Sequence, residues 1–287
     1  MVGTNPENTP CMQSTGRTTL DDLYDKIRQY WLARPFDSED AIDAALQHFR
    51  ILFAYHSAKI ENDAVEYHDM REIFENGLVT SFAGDPRTLF EQQNQKLCYE
   101  YLKPLLVAHT PLSLDLTREI HRILTAGTYD ARRYVARNER PGEFKKGDYV
   151  TGIHEAGYPP EEVEPALREL IREFDAWQGD DPLVPAAYLH VRFEHIHPFA
   201  DGNGRTGRTL MNYWLMCHNH PPVVIHEDVR KTYYAALEQY DADETLQPMI
   251  DFLREQTVRT WSGTLRRSHG DASGLRRKNL RAYMSPH

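Results

Sequence analysis

The 287-residue sequence is poor in cysteine, with Cys11, Cys98 and Cys217 far apart and without paired metal-ligand spacing. That excludes a disulfide framework and a cysteine-based zinc centre, and it suits a reducing cytoplasm. There is no run of about twenty uninterrupted apolar residues, and Met1 to Thr18 lacks the apolar stretch of a secretory leader, so neither a membrane span nor that export route is expected. Positive charge is in deficit: 33 Lys and Arg against 43 Asp and Glu give a net charge of −10. Such a balance argues against a general nucleic-acid-binding surface and confines any basic site to a local cluster. A hydrophobic content of 40% is enough for a sizeable core.

The most informative stretch is His197-Pro-Phe-Ala-Asp-Gly-Asn-Gly-Arg-Thr-Gly-Arg208. Gly202 and Gly204 bracket Asn203 and permit the backbone turn that aims successive N–H groups at an anion. The apolar run Leu210 to Met216 reads as a helix whose positive end points back at the same anion. Arg205 and Arg208, three apart, can grip phosphate oxygens that the glycines do not reach. Asp201 is the nearest hard oxygen ligand for Mg2+, and His197 is a base that titrates near neutrality. A Walker-type P-loop would need Gly-Lys-Ser/Thr after its loop, whereas the chain has Gly204-Arg205-Thr206.

This string matches the signature of the Fic family, His-x-Phe-x-(Asp/Glu)-Gly-Asn-Gly-Arg-x-x-Arg, at every specified position, and over residues 40 to 260 the chain resembles that family. The resemblance implies an all-α fold, a helical bundle with a small β-hairpin flap, and transfer of AMP from ATP to a hydroxyl of a target protein. It assigns His197 as the base toward the target hydroxyl and Asp201 as the Mg2+ ligand. Gly202, Asn203, Gly204 and Arg205 become the phosphate cradle, Arg208 the γ-phosphate contact and Phe199 a buried anchor. Asn212 and Tyr213 are expected beside the adenine, from position only. Gly204 stands where phosphorylating relatives carry lysine, so AMP is favoured; UMP and GMP stay open because the base pocket is not legible.

Ser57-Ala-Lys-Ile-Glu61-Asn62 fits the pattern (Ser/Thr)-x-x-x-Glu-(Gly/Asn) that the Fic family uses for self-inhibition. Ser57 and Glu61 fall on one helix face, where Glu61 could form a bidentate ion pair with Arg208 and remove the cation that orients the γ-phosphate. The expected function is therefore an autoinhibited, Mg2+- and ATP-dependent protein adenylyltransferase acting on a Tyr, Ser or Thr hydroxyl of another protein or of itself. Two alternatives stay open: AMP removal with Glu61 aligning water, and a non-catalytic nucleotide-sensing protein. No membrane or nucleic-acid partner is expected, and a homodimer is left open.

Along the chain, residues 1–17 read as a flexible leader, 18–110 as a helical region carrying the inhibitory helix, 111–262 as the Fic core and 263–287 as a basic flexible tail. Helices are expected from Thr19 to Trp31, Ser38 to Glu61, His68 to Glu75, Arg87 to Ala108, Asp115 to Thr125, Pro160 to Trp177, Pro185 to His195, Thr206 to Cys217, Val229 to Tyr240 and Thr245 to Ser262. Residues 138–158, with glycines separating short β-prone pieces, read as a hairpin. The resemblance makes it a flap that clamps the target, with Phe144 and Val150 as candidate contacts.

Overall fold

The computed structural model describes residues 19–149 and 157–268, which form eleven α-helices and no strand. They are α1 (Leu20–Leu32), α2 (Glu39–Leu46), α3 (Phe49–Lys59), α4 (Tyr67–Asn76), α5 (Pro86–Val107) and α6 (Leu114–Leu124), followed by α7 (Pro160–Asp175), α8 (Leu183–Ile196), α9 (Asn203–Cys217), α10 (Arg230–Asp243) and α11 (Gln247–Ser268). The leader and residues 269–287 of the basic tail lie outside the described residues, as do Val150 and the centre of the expected flap.

Local chemistry sets the helix ends. Thr19 caps α1 in a reciprocal capping box with Asp22, Asp85 and Pro86 open α5, and Ser113 caps α6. Helices α8 and α9 form the centre, with α6, α11, α3 and α5 packed around them. Helix α9 is buried on nearly every side, so its polar side chains must be satisfied internally. Thr206 and Thr209 hydroxyls accordingly donate to the Gly202 and Arg205 carbonyls one turn back. One hydrophobic core runs through α1–α3 and α5–α11, from Trp31 and Ile42 to Trp261. A smaller cluster, Ile51, Ala54, Ala58, Val65, Met70 and Phe74, fixes α3 against α4.

Two expectations change. The single helix over 38–61 is two, because the hydrogen-bond ladder lapses at Gln47 and His48 although both keep right-handed helical dihedrals. Helix α9 begins at Asn203 instead of Thr206, with Gly202 at φ 80° as its cap, so Gly204 and Arg205 belong to its first turn. The described parts of 138–158 contain no strand. Just before them a five-residue π-turn, Arg132–Ala136, closes when the Arg137 N–H donates to the Arg132 carbonyl at 3.1 Å.

Candidate active site

The sharp bend between α8 and α9 is held from inside. Phe199 is wholly buried and its ring stacks on that of His121, with centroids 3.6 Å apart. Asn203 clamps the loop across itself: its Oδ1 accepts from the Phe199 N–H at 2.9 Å and its Nδ2 donates to the Phe199 carbonyl at 2.8 Å. His121 Nδ1 accepts from the Gly142 N–H at 2.8 Å, so the proton sits on Nε2, which donates to the Asp201 carbonyl at 2.8 Å. Burial pushes His121 down to about 3, which keeps it neutral and preserves that tautomer.

Beyond the bend, the first described backbone bond of α9 runs from the Thr206 N–H to Gly202, leaving the N–H groups of Asn203, Gly204 and Arg205 at the positive end of the helix. Arg205 is buried, and its Nε and NH1 lack a hydrogen-bond partner, although NH1 lies 3.4 Å from Glu91 Oε1. A buried guanidinium with unused donors is able to bind an anion. Asp201 uses Oδ1 to accept from the Gly202 N–H, and its Oδ2 accepts from Arg87 NH2 at 2.8 Å. Among the described residues no group of three metal-donor side chains occurs. One carboxylate beside a phosphate cradle fits Mg2+ that arrives with nucleotide and takes its other ligands from phosphate and water.

His197 ends α8 in the left-handed conformation, φ 51°, which throws its side chain to the cavity wall. Burial, reinforced by nearby Lys145, pushes its imidazole down to about 4. A ring N–H bonded to the Glu194 carbonyl partly opposes that shift and leaves the other nitrogen free to act as base. The segment beside it is sewn to the bend by the Lys145 N–H to the Pro198 carbonyl at 2.9 Å and the Tyr158 N–H to the Ile196 carbonyl at 3.0 Å.

A cavity of about 950 Å³ joins these groups. Glu61 lines it, while Arg208 is buried behind. Arg208 NH2 donates to Glu61 Oε1 at 2.8 Å and to the Ser57 carbonyl at 2.8 Å, and its Nε donates to Ser57 Oγ at 3.1 Å. The expected bidentate pair is thus a single bond, because Ser57 occupies the rest of that guanidinium edge. A Cβ on Gly204 would sit within van der Waals overlap of Glu61 Oε1, so glycine lets the carboxylate stand over the loop. Asn62 Nδ2 donates to Glu91 Oε2 at 2.8 Å and to Thr88 Oγ1 at 3.1 Å, fixing the end of this segment to α5.

Other expectations are corrected. Asn212 and Tyr213 do not line the cavity: Asn212 exchanges two hydrogen bonds with the Val223 backbone, and the Tyr213 hydroxyl donates to the Thr110 carbonyl at 2.5 Å. Phe144 also lies off the cavity, packed on Phe199 with centroids 5.6 Å apart. The cavity wall is instead supplied by Tyr233, Tyr234 and Glu238 of α10, together with Glu194. Burial pushes the Glu194 carboxyl up to about 8 despite the opposing charge of Arg208. No motif marked α10, but its two adjacent tyrosines on a helix of modest apolar content were the available signal. Arg87, Glu91 and His121 were equally unmarked, since each is an ordinary polar residue on a helix until the fold brings it to the bend.

The Fic/DOC family profile matches residues 111–215. The protein adenylyltransferase Fic of Drosophila persimilis is 30% identical over 233 residues, covering 78% of this chain and 42% of the relative. That of Drosophila mojavensis is 29% identical over 273 residues, covering 89% and 51%. The chain therefore spans about half the length of the curated relatives it matches. A Fic-domain signalling protein from Bacteroides thetaiotaomicron superposes with a TM-score of 0.71 at 24% identity, covering 88% of this chain and 97% of that one. Fic-1 from C. elegans gives 0.70 at 24%, covering 89% and 72%. With the motif intact, the bend built around it and these likenesses in sequence and fold, the chain belongs to the Fic family.

Proposed function

We propose that this chain is a protein adenylyltransferase held in check by its own α3 segment. The observation that carries the proposal is the convergence on one cavity of a neutral, accessible base, His197, with the buried donors of Arg205 and the open N-terminus of α9. Curated relatives named protein adenylyltransferase Fic support it.

ATP would lie with its phosphates on the Asn203 to Arg205 N–H groups and the Arg205 guanidinium, and its base toward Tyr234. Asp201 would hold Mg2+, which supplies charge neutralisation between the phosphates. His197 takes the proton of the target hydroxyl as its oxygen attacks the α-phosphorus. The bond to the bridging oxygen breaks, and pyrophosphate leaves toward the arginine side of the cradle. Glu61 stands where a γ-phosphate would meet Arg208, so ATP bound beside it is turned from the in-line pose.

The test uses ATP labelled at the α-phosphate. His197→Ala should lose label transfer by about 10²-fold or more while nucleotide binding persists. Transfer by this variant at the wild-type rate would overturn the assignment.

A further inference from the structure

Beside the catalytic cavity lies a second recess of about 280 Å³, lined by Asp130, Arg132, Arg133, Arg137 and Tyr149. It shares Arg133 and Tyr149 with the larger cavity, so the two lie side by side. We propose that this recess docks an acidic segment of the protein that carries the acceptor hydroxyl; the proposal rests on the adenylyl-transfer reading above.

Three features support it. The π-turn returns the Arg137 N–H to the Arg132 carbonyl, which sets these two exposed arginines one turn apart on the same stretch of backbone; on an α-helix residues five apart would diverge. The Arg132 guanidinium has no hydrogen-bond or ion-pair partner among the described residues, and that of Arg137 lies 5.0 Å from the Tyr149 ring centroid. Arg133 pairs with Asp130 at 3.0 Å and reaches to 3.9 Å from Asp201 Oδ2, linking the recess to the reaction centre. Three arginines and one aspartate thus line the recess, on a chain whose net charge is −10.

The nucleotide has its own donors in Arg205 and the start of α9, so the recess is surplus to phosphate binding. Its size suits one or two carboxylates, and the negative charge of the rest of the chain disfavours a long polyanion such as nucleic acid. Tyr134 and Val135, both exposed on the same π-turn, offer apolar contact to neighbouring residues of the same segment. Charge complementarity would both speed the encounter and set the register of the acceptor.

The experiment compares two synthetic peptides with the same central threonine, one flanked by glutamates and the other by glutamines. Glu61→Gly enzyme and α-labelled ATP are used, with and without Arg132→Ala/Arg137→Ala. The glutamate peptide should be labelled about tenfold more efficiently, through a lower KM, and the advantage should shrink as salt rises. The double variant should erase the advantage while leaving the KM for ATP unchanged. Equal labelling of the two peptides, labelling of neither while the enzyme still labels itself, or persistence of the advantage in the double variant would overturn the docking site. A raised KM for ATP in that variant would reassign the recess to nucleotide, and stronger displacement of the peptide by an oligonucleotide than by free glutamate peptide would reassign it to nucleic acid. Loss of His197-dependent self-labelling and AMP release altogether would instead fail the adenylyl-transfer reading itself.

Discussion

Arg87 and Asp201 are joined by a 2.8 Å hydrogen bond from NH2 to Oδ2, so a guanidinium occupies the carboxylate oxygen proposed to hold Mg2+. Glu91 steadies the same guanidinium through Nε at 3.1 Å, and Glu91 also accepts from Asn62 at the end of the α3 segment. Burial opposes the arginine charge, but Asp201 and Glu91 more than compensate and push Arg87 above its usual range. A partly exposed pair of this kind is worth about 1 kcal/mol. Arg87→Ala should therefore lower the Mg2+ concentration for half-maximal transfer roughly fivefold, read from Mg2+ titrations at fixed ATP. An increase would mean that Arg87 turns to the phosphates once nucleotide arrives.

The Glu61–Arg208 contact gives a second prediction. Burial works against the Arg208 charge, and Glu61 is the first group that restores it, holding the guanidinium above its ordinary range. Glu61→Gly frees one N–H of Arg208 NH2, while the Ser57 carbonyl keeps the other and Ser57 Oγ still accepts from Nε, so Arg208 keeps its place and gains room for phosphate. Label transfer should rise by about tenfold or more, the worth of one charge-assisted contact in a partly buried site. Ser57→Ala differs: it strips an acceptor from a buried cation and should cost about 1–3 kcal/mol of stability in denaturant titrations. Equal transfer by wild type and Glu61→Gly would remove the brake from the proposal.

These two contacts mark how far the sequence alone reaches. His197, Asp201, Arg205 and Arg208 were legible because twelve adjacent residues carry their chemistry, and the capped helices α1, α5 and α6 because their signals are local. Glu61 was legible through spacing, although its single bond to Arg208 was not, since the share taken by Ser57 depends on how α3 lies against α9. Arg87 and Asp201 are 114 positions apart, and nothing near either names the other. The expected adenine contacts fail for the same reason: Asn212 and Tyr213 follow the motif in sequence, but the rise along α9 carries them away from the loop, to Val223 and Thr110. The π-turn at Arg132 has no sequence signature in composition or periodicity.

A third prediction concerns acid. Burial pushes His190 down to about 3 and His220 down to about 4, against 6.5 when unfolded. A depressed folded value means that stability is complete above the unfolded value and is lost as pH falls from about 6.5 toward 4, because only the unfolded chain binds those protons. His220 Nε2 meets the Tyr24 hydroxyl at 2.8 Å, and His190 Nε2 meets that of Tyr233 at 2.8 Å, so both sit in joints between helices. The melting temperature should fall steeply between pH 6.5 and 4.5, and His220→Gln should flatten that slope while lowering the plateau at pH 8. A slope unchanged by this variant would move the acid sensitivity elsewhere. His197 lies at about 4 for the same reason, so transfer by folded enzyme should show no acid limb near 6.5.

His121 supplies the last prediction, because it touches the chemistry only through the backbone. Its ring fills the face of Phe199, its Nδ1 accepts from Gly142, and its Nε2 holds the Asp201 carbonyl, so one side chain sets both the depth of the bend and the direction of Asp201. Removing it in His121→Ala opens a cavity beside Phe199 and orphans a buried N–H and carbonyl, at a cost of about 3 kcal/mol or more in stability. His121→Phe keeps the stack and loses the bonds. If the role is packing alone, His121→Phe should restore both melting temperature and turnover. If the role is to aim Asp201, His121→Phe should recover much of the melting temperature yet keep kcat depressed by about tenfold, with the Mg2+ requirement raised because the carboxylate is no longer held in register with the cradle. Measuring both variants by thermal melting and by Mg2+ titration of label transfer in the Glu61→Gly background separates the two, and the second outcome is the one expected from a histidine whose two nitrogens are both committed to backbone groups of the site.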